Sequence, residues 1–380
     1  MIRVSEMVLP GHPDKFCDQI ADAVVEQCYA VDANAYCQVE VACWGDEIWL
    51  TGGIATRPPL EQTLKEVVHE VGRRIGYVAG NAVDVERYTV RDSVCQLRRD
   101  PRQWTHHVND QCIAVGWAGY DERVAWLPPE HYLAHAFREA LTKSFASGQL
   151  IGQGPDGKLI VQLRESSDAW VVEQVLVTVQ HLDGTPLTDI CGAVWSELAA
   201  CYRQLQQGDR RWSAAWDEVE VLVNPNGPLV NGGSDGDNGQ TGRKLAMEYY
   251  GPRVPIGGGA LCGKDLTHID RAAAYALRQA AIHALENGAA ECKLTGVWAP
   301  NRAEPLELIW EMDGHGPRLP AAWFAHGAMQ SRWDQSVVGQ DLARGRHFFD
   351  RTLPWNSASH EQGSLSLQAR RYANATVSRR

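Results

Sequence analysis

The segments Asp235-Gly-Asp-Asn-Gly-Gln-Thr-Gly-Arg-Lys244 and, after a short apolar spacer, Gly257-Gly-Gly-Ala-Leu-Cys-Gly-Lys-Asp265 organise this sequence. Each is a glycine-dense turn that ends near cationic side chains. Glycine lets the backbone approach a ligand closely and direct several N–H groups toward it. Arginine and lysine add the positive charge that grips phosphate. The two turns therefore predict a polyphosphate site, with a pair of solvated surface turns as the alternative.

The second turn nearly matches a P-loop, because Gly258 is followed after four residues by Gly263 and Lys264. A P-loop continues with a serine or threonine whose hydroxyl binds magnesium. Here the next residue is Asp265. The pattern therefore favours polyphosphate binding and disfavours a P-loop NTPase.

Composition limits the class of protein. The chain has 380 residues, 44% of them hydrophobic and 22% charged, as in a soluble globular protein of two or three domains. The net charge of −11 argues against nucleic-acid binding by bulk charge. We find no apolar run of about 18 residues and no apolar signal segment, so we expect no membrane span. The ten cysteines form no Cys-x-x-Cys pair, and we expect reduced thiols in a cytoplasmic protein.

A second charged motif, Gly11-His-Pro-Asp-Lys15, directly precedes a predicted helix. Phe16, Ile20, Val24 and Cys28 recur every four residues and give that helix one apolar face. The motif therefore lies at a helix N-terminus, where the free N–H groups and the helix dipole favour anions. An ordinary capped helix start, with an acidic residue matching the dipole, is the alternative.

The rest of the chain alternates between strand and helix patterns. We predict strands at residues 35–42, 47–54, 159–163, 170–180, 218–224, 292–298 and 306–311. We predict helices at 58–75, 129–146 and 189–205, and a long helix that Thr267 caps and Asn287-Gly288 closes. This alternation, without a Gly-x-Gly-x-x-Gly unit, predicts mixed α/β layers.

Three other regions are less regular. Residues 91–110 are expected to form a polar loop, and Pro155-Asp-Gly157 is by default a hairpin turn. The tail after Ser357 is polar and is expected to be loose. We divide the chain into an N-terminal domain at 1–100, a central domain at 101–222 and a C-terminal domain at 223–380.

Five motifs together resemble the S-adenosylmethionine synthetase (methionine adenosyltransferase) family. In that family's order they are Gly11-His-Pro-Asp-Lys15, Pro155-Asp-Gly-Lys158, Gly236-Asp-Asn-Gly-Gln-Thr-Gly-Arg-Lys244, Gly257-Gly-Gly-Ala-Leu-Cys-Gly-Lys-Asp265 and Asp270-Arg-Ala-Ala-Ala-Tyr275. The resemblance extends to about Trp355. It implies three similar α/β domains around a pseudo-threefold axis, and a homodimer or tetramer with active sites between subunits.

The resemblance also implies a reaction between ATP and methionine, in which sulfur attacks C5′ of the ribose and the triphosphate leaves. By motif it assigns ATP contacts to His12, Lys15, Asp156, Lys158, Asp237, Arg243, Lys244, Ala260 and Lys264, with catalytic roles for His12, Lys158, Arg243 and Lys264. It assigns acceptor contacts to the positions of Ile54, Gln96, Asp110, Asp237, His268 and Asp270. It places Mg²⁺ at Asp14 and, with a one-residue shift in alignment, K⁺ at Glu40.

Several positions depart from the family pattern. Ile54 stands where the family has a glutamate that contacts the methionine amino group, and His268 replaces a lysine expected on the methionine side. Pro228-Leu229 replaces the adenine-side Arg-Phe pair. The triphosphate residues are therefore retained while the acceptor and base contacts are altered.

These observations favour an enzyme that transfers the adenosyl group of ATP to methionine or a related thioether. An adenosyltransferase that uses another acceptor or nucleotide is an alternative. So are a phosphohydrolase or phosphotransferase with the same cation clamp, and a non-catalytic ATP-binding paralogue.

Overall fold

The computed structural model describes residues 1–356. The strands are β1 Ile2–Val8, β2 Tyr36–Trp44, β3 Glu47–Ala55, β4 Thr89–Gln96, β5 Cys112–Gly119, β6 Gln153–Glu165, β7 Trp170–His181, β8 Glu220–Val223, β9 Gly239–Gln240, β10 Ala289–Trp298 and β11 Glu307–Gly314. The α-helices are α1 Pro13–Val31, α2 Leu64–Ile75, α3 Arg102–Thr105, α4 Pro129–Ala146, α5 Leu187–Gly208, α6 Leu245–Glu248, α7 Ile269–Glu286, α8 His326–Gln330 and α9 Gln340–Ala343. Within this described part, no helix has the length and apolarity needed to cross a membrane.

Residues 1–356 form three sheets, with strand orders β1-β6-β7-β8, β11-β10-β5 and β4-β3-β2-β9. Strand pairing is antiparallel except for β3 with β4 and β7 with β8. The first sheet packs against α4 and α5, the second against α7, and the third against α1 and α2. The predicted mixed α/β fold, built from three similar sheet-and-helix units, is confirmed.

Each sheet buries one face under its helices. In β2 the burial alternates strictly, with Cys37, Val39, Val41 and Cys43 in the core and the residues between them turned outward. The first sheet joins the N-terminal strand β1 to strands that follow residue 150, so its strands come from more than one of the three predicted sequence segments. The domain boundaries stay a prediction.

The first helix forms as its pattern predicts. His12 is the N-cap residue and Pro13 occupies the first turn, where a missing N–H costs nothing. The repeat of Phe16, Ile20 and Val24 lies fully buried against β2. This packing fixes the direction in which the charged N-terminus of α1 points.

Two predicted helix starts are wrong. α2 begins at Leu64 and not at Pro58-Pro59, because Thr63 and Glu66 form a reciprocal capping box there. α7 is capped by His268 and not by Thr267, because the His268 side chain accepts the Asp270 N–H while the Thr267 hydroxyl donates to Asp265.

Two loop predictions also need correction. Pro155-Asp-Gly157 is not a hairpin turn but part of β6, where the pairing register with β7 shifts between Gln153 and Gly157. The predicted polar loop at 91–110 contains most of strand β4 and the short helix α3. The predicted loose tail lies outside the described residues.

Candidate active site

The start of α1 and the first glycine-rich turn meet in a group of charged side chains, named here the His12 cluster (His12, Asp14, Arg243 and Lys244). Asp14 Oδ2 lies 2.5 Å from Lys244 Nζ, and Asp14 Oδ1 accepts the Gln240 N–H at 2.9 Å. Arg243 Nε lies 3.5 Å from Asp14 Oδ1. Two cations thus share one buried carboxylate, and both are placed to turn toward an anionic ligand.

His12 is buried at the N-terminus of α1, and its Nδ1 accepts the Asp14 N–H at 3.2 Å. A neutral imidazole that accepts through Nδ1 carries its proton on Nε2. Burial, followed by the positive charge of Lys244, lowers the pKa of His12 to about 4. At neutral pH His12 is therefore an uncharged ring that offers an N–H donor.

The Pro155-Asp-Gly-Lys158 motif runs beside the His12 motif. The Gly11 N–H donates to the Pro155 carbonyl at 3.0 Å, and a side chain on Gly11 would collide with Pro155. Lys158 is about half exposed, and its charge helps to lower the pKa of His12. The predicted phosphate-binding amine is therefore close enough to act on the imidazole.

Two predicted aspartates lie at the edge of this cluster. Asp156 accepts the Gly233 N–H at 2.7 Å, and burial raises its pKa to about 6. Asp237 is exposed and its charge raises the pKa of His12, opposing the two lysines. The second predicted aspartate is thus free to meet a ligand.

A second charged group, named here the Lys264 cluster (Lys264, His268, Asp270 and Asp110), forms at the N-terminus of α7. Lys264 Nζ lies 2.6 Å from Asp270 Oδ2. Burial, followed by the charge of Lys264, lowers the pKa of His268 while the charge of Asp110 acts in the opposite direction. Three residues predicted on the acceptor side therefore gather around one predicted phosphate lysine.

The two clusters have nearly the same geometry. In each, a buried N-cap histidine accepts through Nδ1 from the backbone of an aspartate two residues later, at 3.2 Å for His12 and 3.3 Å for His268. In each, a lysine pairs with that aspartate, at 2.5 Å for Asp14 and 2.6 Å for Asp270. Each helix N-terminus therefore offers an anionic ligand two groups: a neutral imidazole N–H donor and a neighbouring lysine.

Three aspartates spaced by four residues on α1 hold both glycine-rich turns, and we name them the α1 aspartate row. They accept backbone N–H groups in three pairs, each at 2.9 Å: Asp14 with Gln240, Asp18 with Gly242 and Asp22 with Gly263. Residues four apart lie on one face of a helix. A single rigid helix therefore sets the distance between the two turns.

The strand β2 shows that the clusters are separate. Ala42 pairs with Gln240 of the first turn, whereas Gln38 pairs with Lys264 of the second. Four residues along a strand span about 13 Å. Glu40 lies midway on the outward face of β2.

Comparisons with known proteins identify the family of this chain. The family model for the S-adenosylmethionine synthetase N-terminal domain matches residues 1–97, and that for the C-terminal domain matches residues 231–321. S-adenosylmethionine synthase 1 of Rhodospirillum rubrum is 32% identical over 320 residues, covering 82% of this chain and 80% of that protein. This chain belongs to the S-adenosylmethionine synthetase family.

Other relatives give the same result. S-adenosylmethionine synthase of Paracoccus denitrificans is 32% identical over 335 residues, covering 82% of this chain and 80% of that protein. Among solved structures, an unusual S-adenosylmethionine synthetase from Campylobacter jejuni is similar with a TM-score of 0.83 at 21% identity, covering 98% of this chain and 100% of that one. The predicted family and its fold are confirmed.

Within this S-adenosylmethionine synthetase fold, Lys15 does not join the phosphate side of the His12 cluster. Its ammonium is fully buried, 2.6 Å from Glu248 Oε1 and 3.0 Å from Asp18 Oδ2. Asp18, Glu248 and Cys262 lie close enough together to hold a metal ion, but the Lys15 ammonium already pairs with both acids. The geometry gives Lys15 a structural contact in place of the phosphate contact that we predicted.

Three other predicted residues lie apart from both charged groups or at their edge. Ile54 is completely buried in the hydrophobic core, and Gln96 is exposed at the end of β4. Ala260 packs closely against the first turn. A Cβ atom added to Gly242 of that turn would lie only 2.8 Å from the Ala260 Cβ. The assignment of these three positions to ligands stays a prediction.

Sequence reasoning missed Asp18, Asp22 and Arg271, which hold the backbone of the two glycine-rich turns in place. Arg271 donates to both oxygens of Asp22, at 2.8 and 2.7 Å, and to the Lys264 carbonyl at 2.8 Å. Asp14, Asp18 and Asp22 are spaced by four residues in the sequence, and this spacing was the signal that could have revealed the α1 aspartate row.

Proposed function

We propose that the chain transfers the adenosyl group of ATP to the sulfur of methionine or a related thioether. The products are a sulfonium compound and a triphosphate, which is then cleaved to phosphate and pyrophosphate. The observation that carries this proposal is the His12 cluster, where a neutral N–H donor lies beside Lys244, Arg243 and Lys158.

The charges of the cluster suit a departing triphosphate. When the C5′–O bond breaks, negative charge grows on the oxygen that leaves. The Nε2–H of His12 is free to donate to that oxygen, while Lys158, Arg243 and Lys244 offset the charge of the phosphates. Preorganised donors and cations of this kind supply much of the rate in reactions that develop charge.

Two carboxylates would supply oxygen ligands to the cations of the proposed reaction. Asp14 fits Mg²⁺ because it is a buried carboxylate between the cations that would hold the phosphates. Glu40 fits K⁺ because it offers a half-buried carboxylate on the outward face of β2. Bound Mg²⁺ would neutralise phosphate charge and favour departure of the triphosphate.

We further infer that the active site lies between two subunits. A single chain separates the His12 cluster from the Lys264 cluster along β2, and each sheet turns apolar side chains outward on the face without helices. These exposed side chains are Ile2 and Val4 on the first sheet, Ile113 and Ile309 on the second, and Trp44 and Trp49 on the third. A second chain packed on these faces can bring its Lys264 cluster to the His12 cluster of the first.

The acceptor side favours a second candidate function, transfer to an acceptor other than methionine. Ile54 offers no charge to an ammonium group, and His268 is a neutral ring in place of a lysine. Loss of a charged hydrogen bond costs about 1.5–3 kcal/mol, which is roughly tenfold to a hundredfold in affinity. We therefore expect weak use of methionine itself.

The test is incubation of the full chain with ATP, Mg²⁺ and a panel of thioethers, followed by mass spectrometry. Adenosyl adducts together with triphosphate products support adenosyl transfer. Transfer of the γ-phosphate without any adduct would favour a phosphotransferase. Tight ATP binding without turnover would favour a non-catalytic paralogue, and ordinary micromolar affinity for methionine would contradict a changed acceptor.

The ten free thiols suit the reducing cytoplasm, where we place this activity.

A further inference from the structure

A groove of about 600 Å³ opens beyond the ends of β3 and β4. It lies at the end of the third sheet where Gln38, opposite Gly53 of β3, also pairs with Lys264. We name it the arginine groove, and it is lined by Thr56, Arg57, Pro59, Gln96, Leu97, Arg98, Arg99 and Asp100. Its walls combine guanidinium groups with the apolar surfaces of a proline and a leucine. Such a mixture suits a small ligand that has both an alkyl part and a charged end.

The position of the arginine groove in the sheet favours ligand binding. β3 and β4 are parallel, with Ile54 opposite Gln96, and the Leu97 N–H donates to the Ile54 carbonyl at 2.8 Å. In α/β sheets, ligands bind beyond the carboxyl ends of parallel strands. Both strands end at this groove, and Gln96, a predicted acceptor contact, lines it.

The groove has an excess of positive charge. Asp100 is its acidic residue, and the carboxylate is held by Arg102 at 2.6 Å and lies 3.7 Å from Arg57. Within residues 1–356, neither Arg98 nor Arg99 forms an ion pair. A local surplus of cations is unexpected in a chain of net charge −11, and it indicates an anionic ligand.

We propose that the arginine groove binds the carboxylate of the thioether acceptor. This inference rests on the proposed adenosyl transfer and narrows its substrate class to thioether carboxylic acids. Guanidinium groups hold carboxylates through paired N–H donors. The groove has no carboxylate free to hold an ammonium group, since Asp100 is engaged by Arg102. An amino group on the acceptor is therefore not required.

The experiment compares three acceptors that share a methylthio end. 4-(Methylthio)butanoate has only the carboxylate, methioninol has only the ammonium, and methionine has both. We expect kcat/KM for 4-(methylthio)butanoate to equal or exceed that for methionine, and both to exceed methioninol by about tenfold to a hundredfold.

The double variant Arg98→Gln/Arg99→Gln should remove this preference while leaving the KM for ATP unchanged. Arg91→Gln is the matched control, because Arg91 is an exposed arginine of β4 that does not line the groove and is already paired with Glu47 at 2.8 Å. The control should keep the full preference. Arg91, Arg98 and Arg99 are all exposed. Circular dichroism should therefore show that the double variant and the control both fold normally.

Two outcomes would overturn the inference: equal use of methioninol and the carboxylates, or a preference that survives in the double variant. If none of the acceptors yields an adduct, the proposed function fails, and calorimetry then decides the groove separately. Binding of 4-(methylthio)butanoate to the full chain, lost in the double variant but kept in Arg91→Gln, supports a carboxylate site. Equal binding of the uncharged 4-(methylthio)butan-1-ol contradicts it.

Discussion

The Asp18 carboxylate accepts a 2.9 Å hydrogen bond from the backbone N–H of Gly242, which lies 224 residues later in the chain. Gly242 has a positive φ of 75° and immediately precedes Arg243 and Lys244. Through this bond the buried face of α1 fixes the turn that carries two predicted phosphate-binding cations. Burial raises the pKa of Asp18 to about 7, against the opposing charge of Lys15, so this carboxylate is held in an unusually dry environment.

The first prediction concerns this bond. Asp18→Ala leaves the partly buried Gly242 N–H without its acceptor, and losing this hydrogen bond to a carboxylate should cost about 1 kcal/mol or more of unfolding free energy. Asp18→Asn keeps an acceptor oxygen and should lose less. Because the turn carries Lys244, the alanine variant should also raise the KM for ATP more than the asparagine variant does. Urea denaturation and steady-state kinetics measure both effects, and identical behaviour of the two variants would contradict a positioning role.

The second prediction concerns the donor at the departing oxygen. His12→Ala removes the Nε2–H without removing a cation, so kcat should fall by about a hundredfold to a thousandfold. The dissociation constant of ATP should change little, because the lysines remain. Single-turnover adduct formation and equilibrium ATP binding separate the two quantities. Loss of ATP binding in a folded variant would argue against this role for His12.

The third prediction tests the electrostatic coupling of His12 with Lys244. After burial, the charge of Lys244 is the largest cause of the lowered pKa of His12, and the charge of Asp14 opposes it. In Lys244→Met the pKa of His12 should therefore rise from about 4 toward its usual value of about 6.5. Titration of the His12 ring proton by NMR measures the shift.

The same variant has a consequence for stability. The folded protein binds a proton at His12 less readily than the unfolded chain does, so this residue's contribution to stability is present above about pH 6.5 and is lost as the pH falls toward 4. In Lys244→Met that acid-dependent loss should shrink. An unchanged pKa would mean that the lysine and the imidazole are not coupled. Lys143→Met, on the exposed end of α4, is the control.

Local sequence patterns were enough to predict α1 and the two glycine-rich turns. The four-residue apolar repeat, the proline at the first turn and the glycines are each determined by nearby residues. The sequence failed where long-range contacts decide the outcome. Lys15 belongs to a cationic motif, yet Glu248, 233 residues away, turns its ammonium into the core. No local spacing reveals such a partner.

The strand β4 illustrates a second limit. Its burial does not alternate clearly, because it lies at the edge of its sheet with β3 as its neighbour, and its polar residues resemble a loop. The cap of α7 is a third case, since Thr267 is the better cap by residue type but Asp265 takes its hydroxyl. In each case tertiary contacts override the local preference.

The last prediction concerns self-association through the outward faces of the sheets. Trp49 lies opposite Ala42 on the exposed face of the third sheet, and Trp44 lies nearby on the same face. If this face meets a second chain, Trp49→Lys should raise the dimer dissociation constant at least about thirtyfold, as expected for an aromatic side chain at the centre of an interface. Trp195→Lys, which changes a similarly exposed tryptophan on α5, should leave the dimer intact. Analytical ultracentrifugation measures the dimer dissociation constants of both variants.

The loss of the dimer should also reduce activity, because the Lys264 cluster of one chain would no longer reach the His12 cluster of another. In Trp49→Lys, kcat per chain should fall with the dimer fraction and recover at high protein concentration. A variant that is monomeric yet fully active would show that one chain completes the site alone.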